Sequence, residues 1–258
     1  MEVTRQERCG VSFYACSDPA WEGAAHGFST RLGGVSPAPM DSLNLGAALG
    51  DDPANVRENF ARFCTALGAD VNALVKNHQV HSNRFRLVAK ADILPDPAQT
   101  GTYEADGLIT TEPGVCLTVF SGDCIPILFY DPVRRCAAAA HAGWRGTALG
   151  IAARVAEAMV RDCGCAPEHI LAAIGLRDAP RRPRRPALRP GAGRRGVYPP
   201  SSGGGQVLRG PEGGQRPLFA ESRPGPGAHR PLPRLHRLRF GHLLVPPGPG
   251  EPAGQHGG

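Results

Sequence analysis

At Gly175 the chain changes composition, and the change decides which residues can share a core. From Leu176 onward it holds 16 of the 26 prolines and 17 of the 34 glycines. From Arg177 to Gly258 there are 15 arginines, no lysine and four acidic residues, a net charge of +11. Residues 1–176 carry 14 basic and 19 acidic residues, a net of −5, together with both lysines and all eight cysteines. The overall +6 is therefore the sum of two unlike segments. Prolines remove backbone donors and glycines raise the entropy cost of ordering. A segment so composed, with few periodic apolar residues, buries too little surface to offset that cost. Residues 177–258 are accordingly expected to be a disordered tail. A basic tail suits nucleic acid. An abrupt Arg/Pro/Gly-rich run without lysine also matches out-of-frame translation of a GC-rich gene. The abruptness favours the second origin, so nucleic acid is not the expected partner.

Residues 1–176 read as an α/β domain. Short strands are expected at Phe13 to Cys16, His26 to Ser29, Arg84 to Val88, Gly107 to Thr110, Val115 to Phe120, Ile125 to Tyr130, Cys136 to Ala140 and Ile170 to Ile174. Asp51-Asp52-Pro53 caps a helix over Ala54 to Leu67. A second helix is expected over Thr147 to Asp162, with Leu149, Ala152, Val155, Ala156 and Met159 at helical spacing.

No run of about 18 apolar residues occurs, which excludes a membrane-spanning helix. The first 17 residues carry Glu2, Arg5 and Glu7 and lack the apolar stretch of a signal peptide, so a cytoplasmic location is expected. The cysteines then read as thiols or ligands rather than disulfides. No CxxC occurs, and Cys163-Gly164-Cys165 has a poor spacing for structural zinc.

Three segments carry the chemistry: Asn77-His78-Gln79-Val80-His81-Ser82, Ser121-Gly122-Asp123-Cys124-Ile125-Pro126 and His141-Ala142-Gly143-Trp144-Arg145-Gly146. Singly, each candidate has a bland alternative. Cys124 suits a buried small hydrophobe, His141 a cap and His81 a solvated loop. Asp106 and Asp123 suit turns as well as proton transfer. His141 sits where α/β sheets place their sites, at the C-terminal end of a strand. If His81, Cys124 and His141 meet, they form a borderline-soft trio suited to zinc, with a fourth position open for water or substrate. His78 is expected to lie outside that set.

The runs Ala105-Asp106-Gly107-Leu108-Ile109-Thr110, Gly122-Asp123-Cys124-Ile125-Pro126-Ile127-Leu128 and Ala138-Ala139-Ala140-His141-Ala142-Gly143-Trp144-Arg145-Gly146-Thr147 resemble the laccase-domain, or polyphenol oxidase, family of YfiH type. So do Gly27-Phe28-Ser29-Thr30-Arg31-Leu32-Gly33-Gly34-Val35-Ser36, Ser42-Leu43-Asn44-Leu45-Gly46 and Gln79-Val80-His81. The likeness spans about residues 20–176. It implies a layered α/β sandwich related to the cytotoxic-necrotizing-factor fold. It also implies a metal site of His81, Cys124 and His141, and a pocket carrying Arg31, Asn44 and Gln79, with Arg31 on phosphate or ribose. The implied activity is phosphate-dependent cleavage of adenosine, inosine, guanosine and methylthioadenosine, with attack at C1′, together with deamination of adenosine at C6. Purine nucleoside and phosphate are then the expected partners. The sequence departs from the family at Gly122, where alanine is usual, and after Gly175, where Gly-Pro and further strands are expected. The domain is thus expected to be truncated.

Two other chemistries compete. A copper polyphenol oxidase needs many paired histidines, but the chain has nine and no His-x-His. Copper is therefore the less expected metal. A cysteine hydrolase, including a peptidoglycan-editing amidase, would use Cys124 and His141 as nucleophile and base.

Overall fold

In this computed structural model the described residues are 2–175 and 240–245, and they form eleven strands and three helices. In chain order these are β1 (Val3–Arg8), β2 (Val11–Cys16), β3 (Ala25–Ser29), α1 (Pro53–Leu67), β4 (Leu74–Lys76), β5 (Phe85–Leu87), β6 (Gly107–Thr110), β7 (Cys116–Ser121), β8 (Ile125–Asp131), β9 (Cys136–Ala142), α2 (Trp144–Ala148), α3 (Ile151–Cys163), β10 (Leu171–Ile174) and β11 (Phe240–Val245). One sheet runs β1-β2-β3-β11-β7-β4 and the other β10-β8-β9-β6-β5. The pairings are antiparallel except β4 with β7 and β5 with β6.

Side-chain alternation along the strands divides the core into three layers. Phe28, Leu108, Leu117, Val119, Leu128, Ala137, Ala139 and Leu244 pack in one cluster, drawn from both sheets. Val11, Phe13, Leu74 and Cys116 of the six-stranded sheet pack with Val56, Phe60, Phe63 and Leu67 of α1. Ile109, Ile127, Phe129, Ala138 and Ala140 of the five-stranded sheet pack with Ile151, Val155 and Met159 of α3. The result is a helix, two sheets and a helix in sequence, the layered α/β sandwich expected. β9 alternates between two buried layers, which explains why its four alanines run without a polar residue.

Local chemistry sets the helix ends. Asp52 accepts a hydrogen bond from Ala54 N at 2.8 Å, Pro53 opens α1, and Gly68 closes it in the left-handed region. Each buried phenylalanine of α1 contributes about 1.5–3 kcal/mol. The single helix expected over Thr147 to Asp162 is two, because Gly150 takes φ +73° between α2 and α3. β1 and β4 were not expected. β1 is polar and half-exposed at a sheet edge, joined to β2 through Cys9 and Gly10, both at positive φ. β4 has three residues, too few to show a period.

The largest correction concerns the tail. Phe240–Val245, inside the stretch expected to be disordered, pairs with β3 on one side and β7 on the other. It is an interior strand, and Leu244 is fully buried. The rest of that expectation, for residues 176–239 and 246–258, lies outside the described residues.

Candidate metal centre

Two of the three chemistry-bearing segments are crossings between the sheets. The loop after β4 leaves the six-stranded sheet and enters β5 of the other, and it carries His81. The short connection from β7 to β8 makes a second crossing and carries Cys124. His141 is the penultimate residue of β9, followed by Gly143 and the start of α2. These three side chains meet at one end of the sandwich. Their ligand atoms all lie within 4.8 Å of one another, with Cys124 Sγ 3.7 Å from His81 Nε2. The two imidazole rings stand edge-to-face, their centroids 4.8 Å apart. His141 is buried, Cys124 intermediate and His81 exposed, so the group opens to solvent on one side.

Asp106, just before β6, organises this group, a role that its turn position in the sequence concealed. It is almost fully buried. Its carboxylate accepts from the backbone N–H of Val80 (3.3 Å), His81 (3.0 Å) and Ser82 (2.6 Å), and from the Ser82 hydroxyl (2.6 Å). His81 sits at φ +60°, the left-handed turn that aims successive N–H groups at one anion. His141 Nδ1 lies 2.8 Å from Asp106 Oδ1. Burial pushes the Asp106 pKa up, but the hydrogen bonds from His141 and Ser82 outweigh it and bring it down to about 2. An ionised carboxylate only accepts, so Nδ1 is the His141 nitrogen that donates to it, which leaves Nε2 as the ring atom available to the site. A carboxylate behind a ligating histidine is a common way of fixing its ring.

Gly143 supplies the space. A Cβ there would stand 2.7 Å from His81 Cδ2 and 3.1 Å from Cys124 Sγ. Its φ of −68° suits any residue, so clearance alone demands glycine. Two nitrogens and a thiolate with this separation fit a tetrahedral zinc ion with one position open, since ligand bonds of about 2.0–2.3 Å need only a small closure. We expect Gly143→Ala to lower zinc affinity about 10–100-fold, the scale of lost positioning around a metal. Thermal stability should change little. Competition against a chromogenic chelator measures the affinity, and unchanged binding would remove Gly143 from the site.

The expected pocket residues do not join the group directly. The Arg31 guanidinium, on the loop between β3 and α1, donates to the Asp41 backbone oxygen at 2.8 Å and pairs with the Asp41 carboxylate. Asn44, expected to face substrate, is fully buried. Its amide donates to Asp51 at 2.9 Å and its carbonyl accepts from Gly46 N at 3.0 Å, so it shapes its own loop. Gln79 spends both ends of its amide on the Phe120 backbone, at 2.7 and 2.6 Å, tying the His81 loop to β7. Gln79 also lines a cleft of about 70 Å³ with His78, Lys76, Gly101 and Phe120, too small for a nucleoside. Lys76 escaped the sequence reading. It is buried, its Nζ lies 4.6 Å from the Phe60 ring centroid, and burial pulls its pKa down to about 8.

Residues 25–177 match the family described as multi-copper polyphenol oxidoreductase laccase. A purine nucleoside phosphorylase of Mycobacterium tuberculosis is 42% identical over 132 residues, covering 51% of this chain and 50% of that protein. The purine nucleoside phosphorylase YlmD of Geobacillus stearothermophilus is 37% identical over 177 residues, covering 67% and 64%. Its crystal structure superposes with a TM-score of 0.62 at 36% identity, over 67% of this chain and 65% of that one. The crystal structure of YfiH from Bacillus licheniformis gives 0.61 at 34% identity, over 66% and 63%. The chain thus spans about half to two thirds of the length of these relatives. No helix among the described residues is long and apolar enough to cross a membrane.

Proposed function

Since the chain belongs to the multi-copper polyphenol oxidoreductase laccase family, we propose that it is a zinc-dependent purine nucleoside phosphorylase. The observation that carries the reading is the His141–Asp106 contact behind the His–Cys–His group. It is the kind of buried carboxylate contact that fixes a ligating imidazole in place. Among the described residues this is the one group of His, Cys, Asp or Glu side chains whose ligand atoms are placed to hold a metal ion. His26, by contrast, is buried between Ala24 O and Cys16 N. A multi-copper cluster needs many more histidines, which favours zinc over copper.

Bound zinc would supply Lewis acidity at an open position. His81 and Cys124 would hold the ion from the solvent side and His141 from the buried side. Asp106 would fix the His141 ring and its protonated Nδ1. Phosphate and a purine nucleoside would be the substrates, with cleavage at C1′. Adenosine, inosine, guanosine and methylthioadenosine are the candidate nucleosides, and deamination of adenosine at C6 is the accompanying activity. Of the outlying residues, Arg31 keeps a guanidinium near the surface for phosphate or ribose. Asn44 and Gln79 act by shaping the loops on which Arg31 and His81 ride.

The 3.7 Å contact between Cys124 and His81 also suits a thiol nucleophile and its base, with His81 rather than His141 in that part. Metal dependence separates the two. We expect the purified chain to hold about one zinc per molecule and to release base from inosine only when phosphate is present. Chelation should stop the reaction and zinc restore it. Cys124→Ala should lose both metal and turnover, by more than the roughly 10–100-fold typical of residues behind a ligand. Full activity after chelation, abolished by thiol alkylation, would replace this reading with the hydrolase.

A further inference from the structure

A groove of about 610 Å³ lies at the β5 edge of the five-stranded sheet, and no ligand of the metal centre lines it. Its size falls within the roughly 300–1,000 Å³ of small-molecule sites. Three segments form it: the residues around the start of β5, the stretch from Thr102 to Ala105, and Arg154 of α3. The lining carries three guanidiniums, of Arg84, Arg86 and Arg154, and one carboxylate, of Glu104.

These groups are held in place by the fold. Arg84 O accepts from Asp106 N at 2.9 Å and from Gly107 N at 3.1 Å, which pins this wall to the start of β6. Asn83 Nδ2 donates to Leu149 O at 3.0 Å and ties the same wall to the turn before α3. The Arg86 guanidinium stacks on Tyr103, 4.0 Å from the ring centroid. It is fixed there by Asn77 Oδ1 at 3.3 Å and by an ion pair with Asp92. The clamped Tyr103 ring is nevertheless 61% exposed. Arg84 Nη2 pairs with Glu104 at 2.7 Å, and both side chains are more than half exposed. Arg84 thus keeps donors to spare, since a guanidinium carries five. Arg154 has no ion pair among the described residues.

We propose that this groove binds a nucleoside monophosphate. The base stacks on Tyr103, as bases do on exposed aromatic rings. The phosphate takes Arg154 and the spare donors of Arg84, whose planar forks match its oxygens. Glu104 accepts from the ribose hydroxyls. Each part narrows the ligand. An inorganic anion leaves Tyr103 unused and meets Glu104 as a like charge. A nucleoside without phosphate leaves Arg154 unused. The site is separate from the metal centre, whose proposed nucleoside carries no phosphate of its own.

The test is calorimetric titration of the full 258-residue chain with AMP, GMP, CMP and UMP in turn. At least one should bind, at one molecule per chain. Its nucleoside and orthophosphate should each bind about tenfold more weakly or worse. Arg154→Ala should weaken the nucleotide about 10–100-fold and leave the nucleoside unchanged. Tyr103→Leu should weaken both about tenfold, and Tyr103→Phe should keep both. These side chains are exposed, so an unchanged thermal midpoint would confirm that each variant is folded. A metal chelator should leave nucleotide binding intact. Four results would each overturn the proposal: no binding of any nucleotide, binding lost on chelation, nucleotide affinity unaltered in Arg154→Ala, or tighter binding of a single-stranded oligonucleotide. Orthophosphate binding as tightly as the nucleotide would reduce the groove to an anion patch and overturn it equally.

Discussion

Asp106→Ala is expected to cost about 3–5 kcal/mol of stability, the scale for stripping one partner from a buried charged network. One carboxylate serves five donors: three consecutive backbone N–H groups at Val80 to Ser82, the Ser82 hydroxyl and His141 Nδ1. With alanine the buried His141 Nδ1 loses its acceptor, and the half-buried loop donors of Val80 to Ser82 lose the group that gathers them. For a domain with 5–15 kcal/mol in hand, the loss approaches the whole. Asp106→Asn separates the site from the fold. The amide keeps the shape, but its NH₂ faces N–H and O–H donors from which the carboxylate accepted. Zinc affinity should fall about 10–100-fold, with a smaller loss of thermal midpoint than alanine causes. The carboxylate also sets an acid limit. Its pKa is lowered from 3.8 to about 2, so the stabilisation is complete above the ordinary value and is lost as pH falls toward 2. The apo-protein's midpoint should therefore drop between pH 4 and 2 more steeply in the parent chain than in Asp106→Asn. Parallel pH profiles would show that Asp106 does not carry the acid sensitivity. Unchanged zinc affinity in Asp106→Asn would mean that His141 needs no such support.

Much of the site is legible because its motifs combine ligands with the space they need. In His141-Ala142-Gly143-Trp144-Arg145-Gly146 the first residue is a donor and Gly143 is the clearance beside it. Gly146 lets α2 approach the Ser82 carbonyl, where a Cβ would stand 2.9 Å away. Ligand and glycine are adjacent in the chain, so the pattern survives in one dimension. Asp106 is the reverse case. Its partners come from a loop some 25 residues earlier and a strand 35 residues later, and only the sheet order β9-β6-β5 brings them together. Periodicity located most strands and both long helices because buried strands and one-sided helices leave strong patterns. It failed for β1, whose edge position leaves it polar, and for β4, which is too short to show a period. Asn44 shows a different limit. A residue type that suits amide recognition can be spent on its own loop, as Asn44 is on Asp51 and Gly46.

A chain ending at residue 239 should lose cooperative unfolding, whereas one ending at residue 246 should keep it. Between those ends lies β11, which holds the middle of the six-stranded sheet. Without it, the facing backbones of β3 and β7 lose their ladders, and two unpaired edges open beside a buried core. Leu244 is fully buried in the layer with Phe28, Leu117 and Val119, and Leu244→Ala alone should cost about 2–5 kcal/mol. The effect should reach the metal centre, because β7 leads directly into the crossing that carries Cys124. Zinc stoichiometry and the thermal transition should therefore fail together in the shorter chain. Composition argued against this strand, since it averages Phe240–Val245 with prolines, glycines and arginines on either side. Six residues are enough to complete a sheet whose other strands are already in place, and an average over 82 conceals them. If the two truncated chains melt alike and bind zinc alike, β11 contributes nothing to the fold, and residues 2–175 must carry the sandwich unaided.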